Sequence, residues 1–257
     1  MAELAAEALL SASVILAREA DGAPPEFFMV RRSERSHLGP ALVFPGGVVR
    51  PDDAEGPWSE TENASALAAD VERRAEQPAP SFARVLACAV RELFEEAGVL
   101  LAEGAAPGAD ALVPARAALQ REELSLSALL TRWNLRASYG ALTAFSHWIT
   151  PIARPSRFDT WFFVAEMPDA QAAVHCDIET TDSAWISARD ALEAGASGRA
   201  SLVFATEAHL RRLAPFGSLD DLVRFARTKA IPTVFPTIQR LPQGPTPVLD
   251  ADLVDRW

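Results

Sequence analysis

The segment Val85–Leu101, with the sequence VLACAVRELFEEAGVLL, constrains the fold of this chain more than any other. Its apolar residues recur every three to four positions, the spacing of an amphipathic helix, and Gly98 follows as a typical C-terminal stop. Glu92, Glu95 and Glu96 stand at i, i+3 and i+4, so they share one face of that helix. Three carboxylates therefore crowd one patch of a helix whose other side is apolar.

Two interpretations of this acidic face are open. Charged runs on helices commonly face water, so a solvated acidic face is the simpler interpretation. The acids, however, stand near the negative end of the helix dipole, where carboxylates are disfavoured, and this favours a cation-binding role. Arg91 precedes Glu95 by one turn, and a surface pair of that kind contributes only about a few tenths of a kcal/mol. We predict the helix from about Ser81 to Ala97.

This segment also belongs to a longer motif. GGVVRPD, followed later by RELFEEAGV, resembles the Nudix box, whose pattern is G-x5-E-x7-R-E-U-x-E-E-x-G-U with U aliphatic. The second half matches at every fixed position, from Arg91 to Val99. The first half departs, because Asp53 stands where the pattern has Glu, and residues 54–90 replace its seven-residue spacer. Whether Asp53 takes the role of that glutamate stays open. An inserted box of this kind resembles the branch typified by mitochondrial and peroxisomal coenzyme A diphosphatases.

The resemblance implies a metal-dependent hydrolase. By resemblance, Glu92, Glu95, Glu96 and the carbonyl of Gly46 hold Mg²⁺ or Mn²⁺, Glu92 and Glu95 are catalytic, and Arg91 orients the acids. The chemistry agrees, since hard cations prefer carboxylate oxygens and can screen a diphosphate against an attacking water. Glycines in the PGG turn would let the backbone approach the ion closely.

A general base outside the box is expected in the segment HCDIETTDSAWIS, residues 175–187. We select Glu179 as the catalytic candidate, with Asp177 and Asp182 as alternatives. The competing interpretation is a polar turn before a strand, with Asp182 as a turn or cap residue. Geometry decides between the two.

Candidate substrate-binding residues fall in two segments. Arg31, Arg32 and Arg35 precede the glycine turn and could clamp a phosphate, although arginines at strand edges are commonly just solvated.

In SHWITPIARPSRFDTWFF, Arg157 could grip a phosphate, and Trp148 or Phe158 could stack on a base. The alternative places both aromatic residues in the core and pairs Arg157 with a carboxylate. We interpret His147 as a hydrogen-bonded structural residue.

The order of elements predicts the fold class. Two strands with an antiparallel pairing come first, and then the box helix, more strands and a set of C-terminal helices. The resulting class is α+β, a Nudix-like α/β/α sandwich with a mixed β-sheet between helices. We expect a single domain over residues 1–257, with helical insertions at about 54–80 and 102–137. A proline-rich, extended tail starts at about residue 231.

Charge and cysteine usage narrow the partners and the location. A net charge of −11 argues against nucleic acid, because binding its phosphates requires Lys and Arg. Two distant cysteines without a CxxC motif make a thiolate zinc site a poor interpretation and suit a reduced, cytoplasmic protein. No segment is apolar over the length that a membrane span needs, and the N-terminus lacks the basic region of a signal peptide.

The predicted function is hydrolysis of the diphosphate linkage in a nucleoside diphosphate joined to another moiety, with coenzyme A or acyl-coenzyme A as the favoured substrate. NADH, ADP-sugars and dinucleotide polyphosphates are alternative substrates. A catalytically silent nucleotide-binding regulator on the same scaffold is an alternative function, although such a protein would be expected to lose some of the acids. The two insertions flank the box helix and are candidates for lids or for a homodimer interface.

Overall fold

The computed structural model describes residues 7–32, 41–54, 62–77, 81–152, 155–176, 180–242 and 244–257. The strands of the described part are β1 Leu9–Ala20, β2 Ala23–Arg32, β3 Leu42–Val43, β4 Gly46–Val48, β5 Ala102–Glu103, β6 Arg136–Ala137, β7 Leu142–Ile149, β8 Phe158–Glu166, β9 Thr180–Ser187, β10 Thr233–Val234, β11 Thr237–Leu241 and β12 Gly244–Val248. The α-helices are α1 Glu62–Arg74, α2 Phe82–Ala97, α3 Ala109–Gln120, α4 Leu126–Arg132, α5 Ala188–Ala196, α6 Phe204–Leu213, α7 Leu219–Thr228 and α8 Ala251–Val254.

A mixed sheet organises these elements. Its strand order is β10-β7-β8-β1-β2-β3, with β4 paired to β1 and β9 paired to β2. The pairs β1–β8 and β7–β10 are parallel, whereas β1–β2, β1–β4, β2–β3, β2–β9 and β7–β8 are antiparallel. The predicted antiparallel pair of the first two strands and the predicted α+β class with a mixed sheet are confirmed.

Helices cover both faces of the sheet. The central residues of β1 are buried without alternation, which is typical of a strand covered on both sides. Val14 packs in one apolar cluster with residues of α2, while its neighbour Ile15 packs in a second cluster with residues of α6 and α7. The box helix therefore lies on one face of the sheet, and the C-terminal helices lie on the other.

Both insertions contribute to the core on the α2 face. Helix α1 lies in the first insertion, and Leu67 and Val71 on it belong to the same apolar cluster as α2. Helices α3 and α4 lie in the second insertion, whose two ends are held together by the β5–β6 pair. The insertions are thus packed layers on α2, and they supply Leu119 and Leu129 to its cluster.

The C-terminal segment differs from the prediction. An extended tail was expected from about residue 231, but the structure has β10, the β11–β12 hairpin and the short helix α8 there. Pro245 and Pro247 lie on β12, a strand with one partner only, where a missing N–H group is tolerated. The segment ends at Trp257, which is buried and contacts Trp148 edge-on with ring centroids 4.8 Å apart.

Helix α2 closes as its sequence predicts. Gly98 adopts a φ of 70°, and its N–H group donates to the carbonyl of Phe94 at 3.0 Å. Glycine takes this left-handed conformation without the penalty that a side chain brings. Among the described residues, no helix combines the length and the apolar character that crossing a membrane requires.

Candidate active site

The three glutamates of α2 are buried. Glu92, Glu95 and Glu96 are only 6%, 5% and 4% exposed. The interpretation of a solvated acidic face is therefore wrong. Buried carboxylates require partners that compensate their charge, so the surroundings of each one show what the cluster can bind.

Arg91 and Asp53 form the centre of this cluster. Arg91 donates from Nε to Asp53 Oδ1 at 2.8 Å and from Nη2 to Asp53 Oδ2 at 3.0 Å, and both side chains are buried. The 3₁₀ turn Pro51–Ala54 brings Asp53 to the helix despite the long insertion that separates them. Asp53 thus contacts the arginine of the box, and whether it takes the role of the first glutamate stays a prediction.

Arg91 also reaches the acids on its own helix. It donates from Nη1 to Glu92 Oε1 at 2.6 Å and lies 3.4 Å from Glu95 Oε1. Burial alone would lower the pKa of Arg91, but the hydrogen bond to Asp53 and the charge of Glu92 raise it above its ordinary value. A permanently charged guanidinium bonded to three carboxylates is the geometry that an orienting residue requires.

The glycine turn presses against the same acids. The N–H group of Gly46 donates to Glu96 Oε2 at 2.9 Å. A Cβ atom on Gly47 would overlap the carboxylate of Glu92. The turn therefore lies directly against the acidic patch, and the absence of a side chain at Gly47 makes this contact sterically feasible. The predicted approach of its backbone to an ion stays a prediction.

Glu95 has the most perturbed environment. Arg50 donates from Nη1 to Glu95 Oε1 at 2.8 Å and from Nη2 to Glu95 Oε2 at 3.1 Å. Burial and the charge of Glu92 nevertheless raise the pKa of Glu95 to about 7, and Arg91 and Arg50 offset this only in part. Negative charge is in surplus at this position.

The residues fit a hard divalent cation by charge and by donor type. Asp53 and the three glutamates of α2 bring four carboxylates to the cluster, against two guanidiniums from Arg50 and Arg91. Oxygen donors with surplus negative charge suit Mg²⁺ or Mn²⁺. In the part of the chain that the structure describes, no three acidic, His or Cys side chains are grouped as a ready-made metal site. Each acid instead bonds to a guanidinium or to an amide, so ion binding requires an exchange of partners.

Arg32, one of the predicted phosphate-binding residues, lies beside the glycine turn. Its Nη2 donates to the carbonyl of Gly46 at 3.3 Å, which is the carbonyl expected to bind the ion. Its Nε is buried and has no hydrogen-bond partner among the described residues. Arg31 is the next residue before it on β2, and its register partner on β9 is Asp182. Arg35 lies outside the described residues.

The aromatic candidates do not reach this site. Trp148 is 4% exposed and packs against Trp257 and His209 in the cluster on the sheet face opposite α2. Phe158 alternates onto the same face as Phe162, which belongs to that cluster. Core packing, the alternative interpretation, therefore holds for Trp148. The base-stacking role of Phe158 stays a prediction.

The other candidates lie in separate environments. Arg157 donates to the carbonyl of Thr150 at 3.1 Å, in the connection before β8. His147 bonds to Asp159 at 2.5 Å and to Thr233 at 3.1 Å, and it stacks on Trp161, as a structural histidine does. Asp182 lies on β9 and accepts from the N–H group of its neighbour Ser183 at 2.9 Å. Glu179 and Asp177 lie outside the described residues.

Sequence reasoning missed several arginines and one amide around the acids. Arg50 holds the carboxylate of Glu95, and Arg84 donates to the carbonyl of Arg50 at 3.2 Å. Arg116 and Gln120 of the second insertion both donate to the carbonyl of Glu95, Arg116 at 2.9 Å. Arg50 stands inside the quoted segment GGVVRPD, but its partners are far away in sequence and no local pattern reveals them.

Comparison with known proteins settles the family. A family model described as the NUDT19 Nudix domain matches residues 4–203, most of the chain. The chain belongs to the Nudix family. Among solved structures, a Nudix hydrolase from Alicyclobacillus acidocaldarius has a TM-score of 0.69 at 24% identity, covering 88% of this chain and 98% of that one. This likeness supports the Nudix fold, and the predicted family and inserted-box branch are confirmed.

Three relatives of this Nudix chain carry the description acyl-coenzyme A diphosphatase NUDT19. The Gallus gallus protein is 29% identical over 271 residues, which cover 86% of this chain and 72% of that protein. The Xenopus laevis protein is 24% identical, covering 80% and 64%, respectively. The Homo sapiens protein is 33% identical over 159 residues, covering 56% and 42%. The matches therefore span less than two thirds of the length of the frog and human proteins.

Proposed function

We propose that this Nudix chain is a diphosphatase that hydrolyses the diphosphate linkage of coenzyme A and acyl-coenzyme A with Mg²⁺ or Mn²⁺. The observation that carries the proposal is the buried carboxylate cluster on α2, with its surplus negative charge, pressed against the Gly46–Gly47 turn. The description of the three relatives supports the choice of substrate.

The acids of α2 have the chemistry to hold the ion. Glu92, Glu95, Glu96 and the carbonyl of Gly46 are the proposed ligands, and Arg91 keeps the acids in register through its bonds to Glu92 and Asp53. A bound divalent ion would screen the diphosphate, polarise its phosphoryl oxygens and lower the pKa of a water molecule. Three ligands from one helix give the ion a rigid support.

The reaction breaks the phosphoanhydride between the two phosphates. Water adds at one phosphorus, the bond to the bridging oxygen breaks, and coenzyme A yields 4′-phosphopantetheine and adenosine 3′,5′-bisphosphate. We propose Glu92 and Glu95 as catalytic acids of the cluster and Glu179 as the base that takes the proton of the water.

Arg32 is the proposed phosphate contact with the most support from the structure. It lies against the Gly46 carbonyl, and its buried Nε keeps an unused donor as far as the described residues go. A guanidinium offers several donors in a planar fork that matches phosphate oxygens. Arg31 and Arg157 stay proposals of lower rank, because the contacts given for them do not include the acids. Arg35, outside the described residues, stays a proposal from the sequence alone.

A substrate panel tests the activity. Purified protein is incubated with coenzyme A, an acyl-coenzyme A, NADH, ADP-ribose and a dinucleotide polyphosphate, each with Mg²⁺ or Mn²⁺, and products are identified by mass. We expect 4′-phosphopantetheine from coenzyme A and acyl-phosphopantetheine from acyl-coenzyme A, each with adenosine 3′,5′-bisphosphate. The rate of hydrolysis should fall by orders of magnitude in Glu95→Gln. Glu193→Gln, which removes an exposed carboxylate on α5, is the matched control. Intact coenzyme A, or full turnover by Glu95→Gln, would refute the proposal.

The remaining expectations are separate from catalysis. A cytoplasmic location, the absence of a nucleic-acid partner, a homodimer and a single domain over residues 1–257 are proposals that rest on charge, cysteine usage and the packed insertions. Light scattering measures the oligomeric state. The alternative of a silent regulator predicts ligand binding by the protein without any product in the same panel.

A further inference from the structure

Arg50 occupies a fixed position between the acidic cluster and the second insertion. Its N–H group donates to Asp53 Oδ2 at 2.7 Å, and its carbonyl accepts from Arg84 Nη2 at 3.2 Å. Both partners are part of the α2 environment, so the backbone from which the Arg50 side chain starts is held in place. Movement at this residue is therefore confined to the side chain.

The Arg50 guanidinium is shared by two acids of opposite exposure. It donates to both oxygens of Glu95, whose side chain is 6% exposed, and its Nε lies 3.6 Å from Glu122 Oε1, whose side chain is 72% exposed. The same guanidinium lies 3.5 Å from the carbonyl of Leu119. Arg50 thus joins the buried site to the end of α3.

Glu122 holds its position against a backbone preference. Its φ of 57° lies in the left-handed region, where glycine is favoured and a side chain costs on the order of 1 kcal/mol. Its N–H group donates to the carbonyl of Leu119 at 2.9 Å, which closes α3. A glycine would close the helix with less strain, but it would remove the carboxylate beside Arg50.

Arg50 and a divalent ion would both bind the carboxylate oxygens of Glu95. Both carboxylate oxygens already accept hydrogen bonds from Arg50, so an ion that coordinates Glu95 competes with Arg50 for the lone pairs of the same two oxygens. The positive guanidinium also repels a cation at this short range. Arg91 is a poorer candidate to yield, because Asp53 binds it through two hydrogen bonds in the buried interior.

We propose that Arg50 is a positioning residue that competes with the divalent ion for the Glu95 carboxylate, and that Glu122 of the insertion receives it when the ion binds. This inference rests on the proposed function, since it assumes that Glu95 is a metal ligand. It assigns a role to the second insertion: the end of α3 sets how readily Glu95 becomes available.

Manganese binding, followed by electron paramagnetic resonance of the free ion, tests the competition. We expect Arg50→Gln to tighten Mn²⁺ binding about tenfold, because one cation near the ion is removed. Arg50→Lys keeps the charge but bonds one oxygen at a time, so its affinity should lie between the two. Arg121→Gln is the matched control. It removes an equal charge from the loop after α3, where Arg121 pairs with Glu123, and should leave Mn²⁺ binding within about twofold. Unchanged or weaker binding by Arg50→Gln would overturn the proposal.

The insertion has its own matched pair of variants. Glu122→Gln and Glu123→Gln remove neighbouring exposed acids and change the net charge equally. We expect Glu122→Gln alone to weaken Mn²⁺ binding, by about threefold, because Arg50 loses the carboxylate that receives it. Equal effects of the two variants would show that only general charge is at work and would remove Glu122 from the proposal.

Thermal unfolding separates competition from a purely structural role. Arg50→Gln should lower the Tm without metal, and saturating Mn²⁺ should raise the Tm of this variant by more than it raises that of the unsubstituted chain. A structural role would give the same Mn²⁺-induced shift in both proteins, which would contradict the proposal. An unsubstituted chain that binds Mn²⁺ but hydrolyses nothing would refute the proposed function alone, whereas one that binds no Mn²⁺ would refute both.

Discussion

Gly46 and Gly47 are adjacent, yet different neighbours restrict them. A Cβ atom on Gly46 would overlap the carbonyl of Ala12 and lie 2.7 Å from the Cα of Ser13, which are backbone atoms of β1. A Cβ atom on Gly47 would overlap only the side-chain carboxylate of Glu92. Backbone of a central strand yields far less readily than the end of a side chain. A side chain at position 46 would therefore disturb the sheet, whereas a side chain at position 47 would disturb the acidic site.

Alanine substitutions separate these two roles. Gly46→Ala should cost about 2 kcal/mol or more of unfolding free energy, because β1 and β4 must move apart. Gly47→Ala should cost less stability but reduce the rate of coenzyme A hydrolysis by at least about tenfold, because it displaces the Glu92 carboxylate. Urea denaturation and initial rates measure the two effects. A Gly47→Ala variant with full activity would show that the placement of Glu92 is not critical.

Asp53 is the buried counter-charge of Arg91. Asp53→Asn keeps the shape but leaves Arg91 without its two-oxygen partner in a site with no exposure, so we expect a loss of about 3 kcal/mol. Asp52→Asn is the matched control, because Asp52 is the preceding residue, carries the same charge and is only half-buried. The midpoints of urea unfolding of the two variants, each compared with that of the unsubstituted chain, measure the loss of stability. Equal midpoints would contradict the structural role of Asp53.

At the scale of elements, local patterns predict local structure well. Helix α2 was expected from about Ser81 to Ala97 and spans Phe82–Ala97, because its apolar period and its glycine stop both lie within the segment. The β11–β12 hairpin was missed, because both strands are only five residues long and β12 carries two prolines. Its two strands are stabilised by each other, which a local pattern does not show.

The partners of the helix could not be predicted in the same way. The acids of α2 were found from one motif, but Gly46 bonds to Glu96 from 50 positions away in the sequence, and Asp53 bonds to Arg91 from 38 positions away. The family pattern supplied Gly46 and left Asp53 open. It offered nothing for Arg50, because only the folded chain shows that Arg50 reaches Glu95.

The insertion helix α3 supports the C-terminal end of α2. Arg116 donates to the carbonyl of Glu95 at 2.9 Å and to the carbonyl of Val174 at 2.8 Å. Its Nη1 also lies 2.9 Å from the point where a Cβ atom on Gly98 would be. The carbonyls in the last turn of a helix lack partners within the helix. Arg116 donates a hydrogen bond to one of them, the carbonyl of Glu95 in the last turn of α2.

Arg116→Met tests this support. We expect a loss of about 1–2 kcal/mol of unfolding free energy for the charge-assisted bonds, and a lower rate of hydrolysis because the backbone of Glu95 is less restrained. Arg132→Met removes an exposed arginine from the neighbouring α4 and should change neither quantity. Hydrogen exchange at the amides of the last turn of α2 provides a direct measurement. Protection equal to that of the unsubstituted chain would contradict the role of Arg116.

At the scale of the whole molecule, the two faces of the sheet differ in the groups that they bury. The α2 face carries the charged cluster beside its apolar core. The face under α6 and α7, here called the aromatic face, holds the buried His209 against the rings of Phe145, Trp148, Phe162 and Trp257. Two interpretations of Trp148 stayed open from the sequence, because alternation along a strand predicts two faces but does not say which one binds substrate. Trp148 and Phe162 both contact His209, a histidine buried among rings.

His209 makes the aromatic face sensitive to acid. Its Nδ1 bonds to the carbonyl of Ala205 at 2.7 Å, so that nitrogen carries the proton, and Nε2 accepts from the hydroxyl of Ser146 at 2.7 Å. Burial, together with the nearby charges of Lys229 and Arg212, lowers the pKa of His209 to about 3, although the bond to Ala205 opposes this shift. The native state therefore requires the neutral ring.

Stability should fall in acid because only the unfolded chain gains the proton. An unfolded histidine has a pKa of about 6.5, so between about pH 6.5 and pH 3 the unfolded state binds more protons and is favoured as the pH falls. The loss should reach about 2 kcal/mol between pH 8 and pH 5. His209→Gln lacks this proton uptake, so the stability difference between the unsubstituted chain and the variant should shrink by about that amount over the same range. Urea denaturation at the two pH values measures it, and a constant difference would mean that the folded protein accommodates a charged His209.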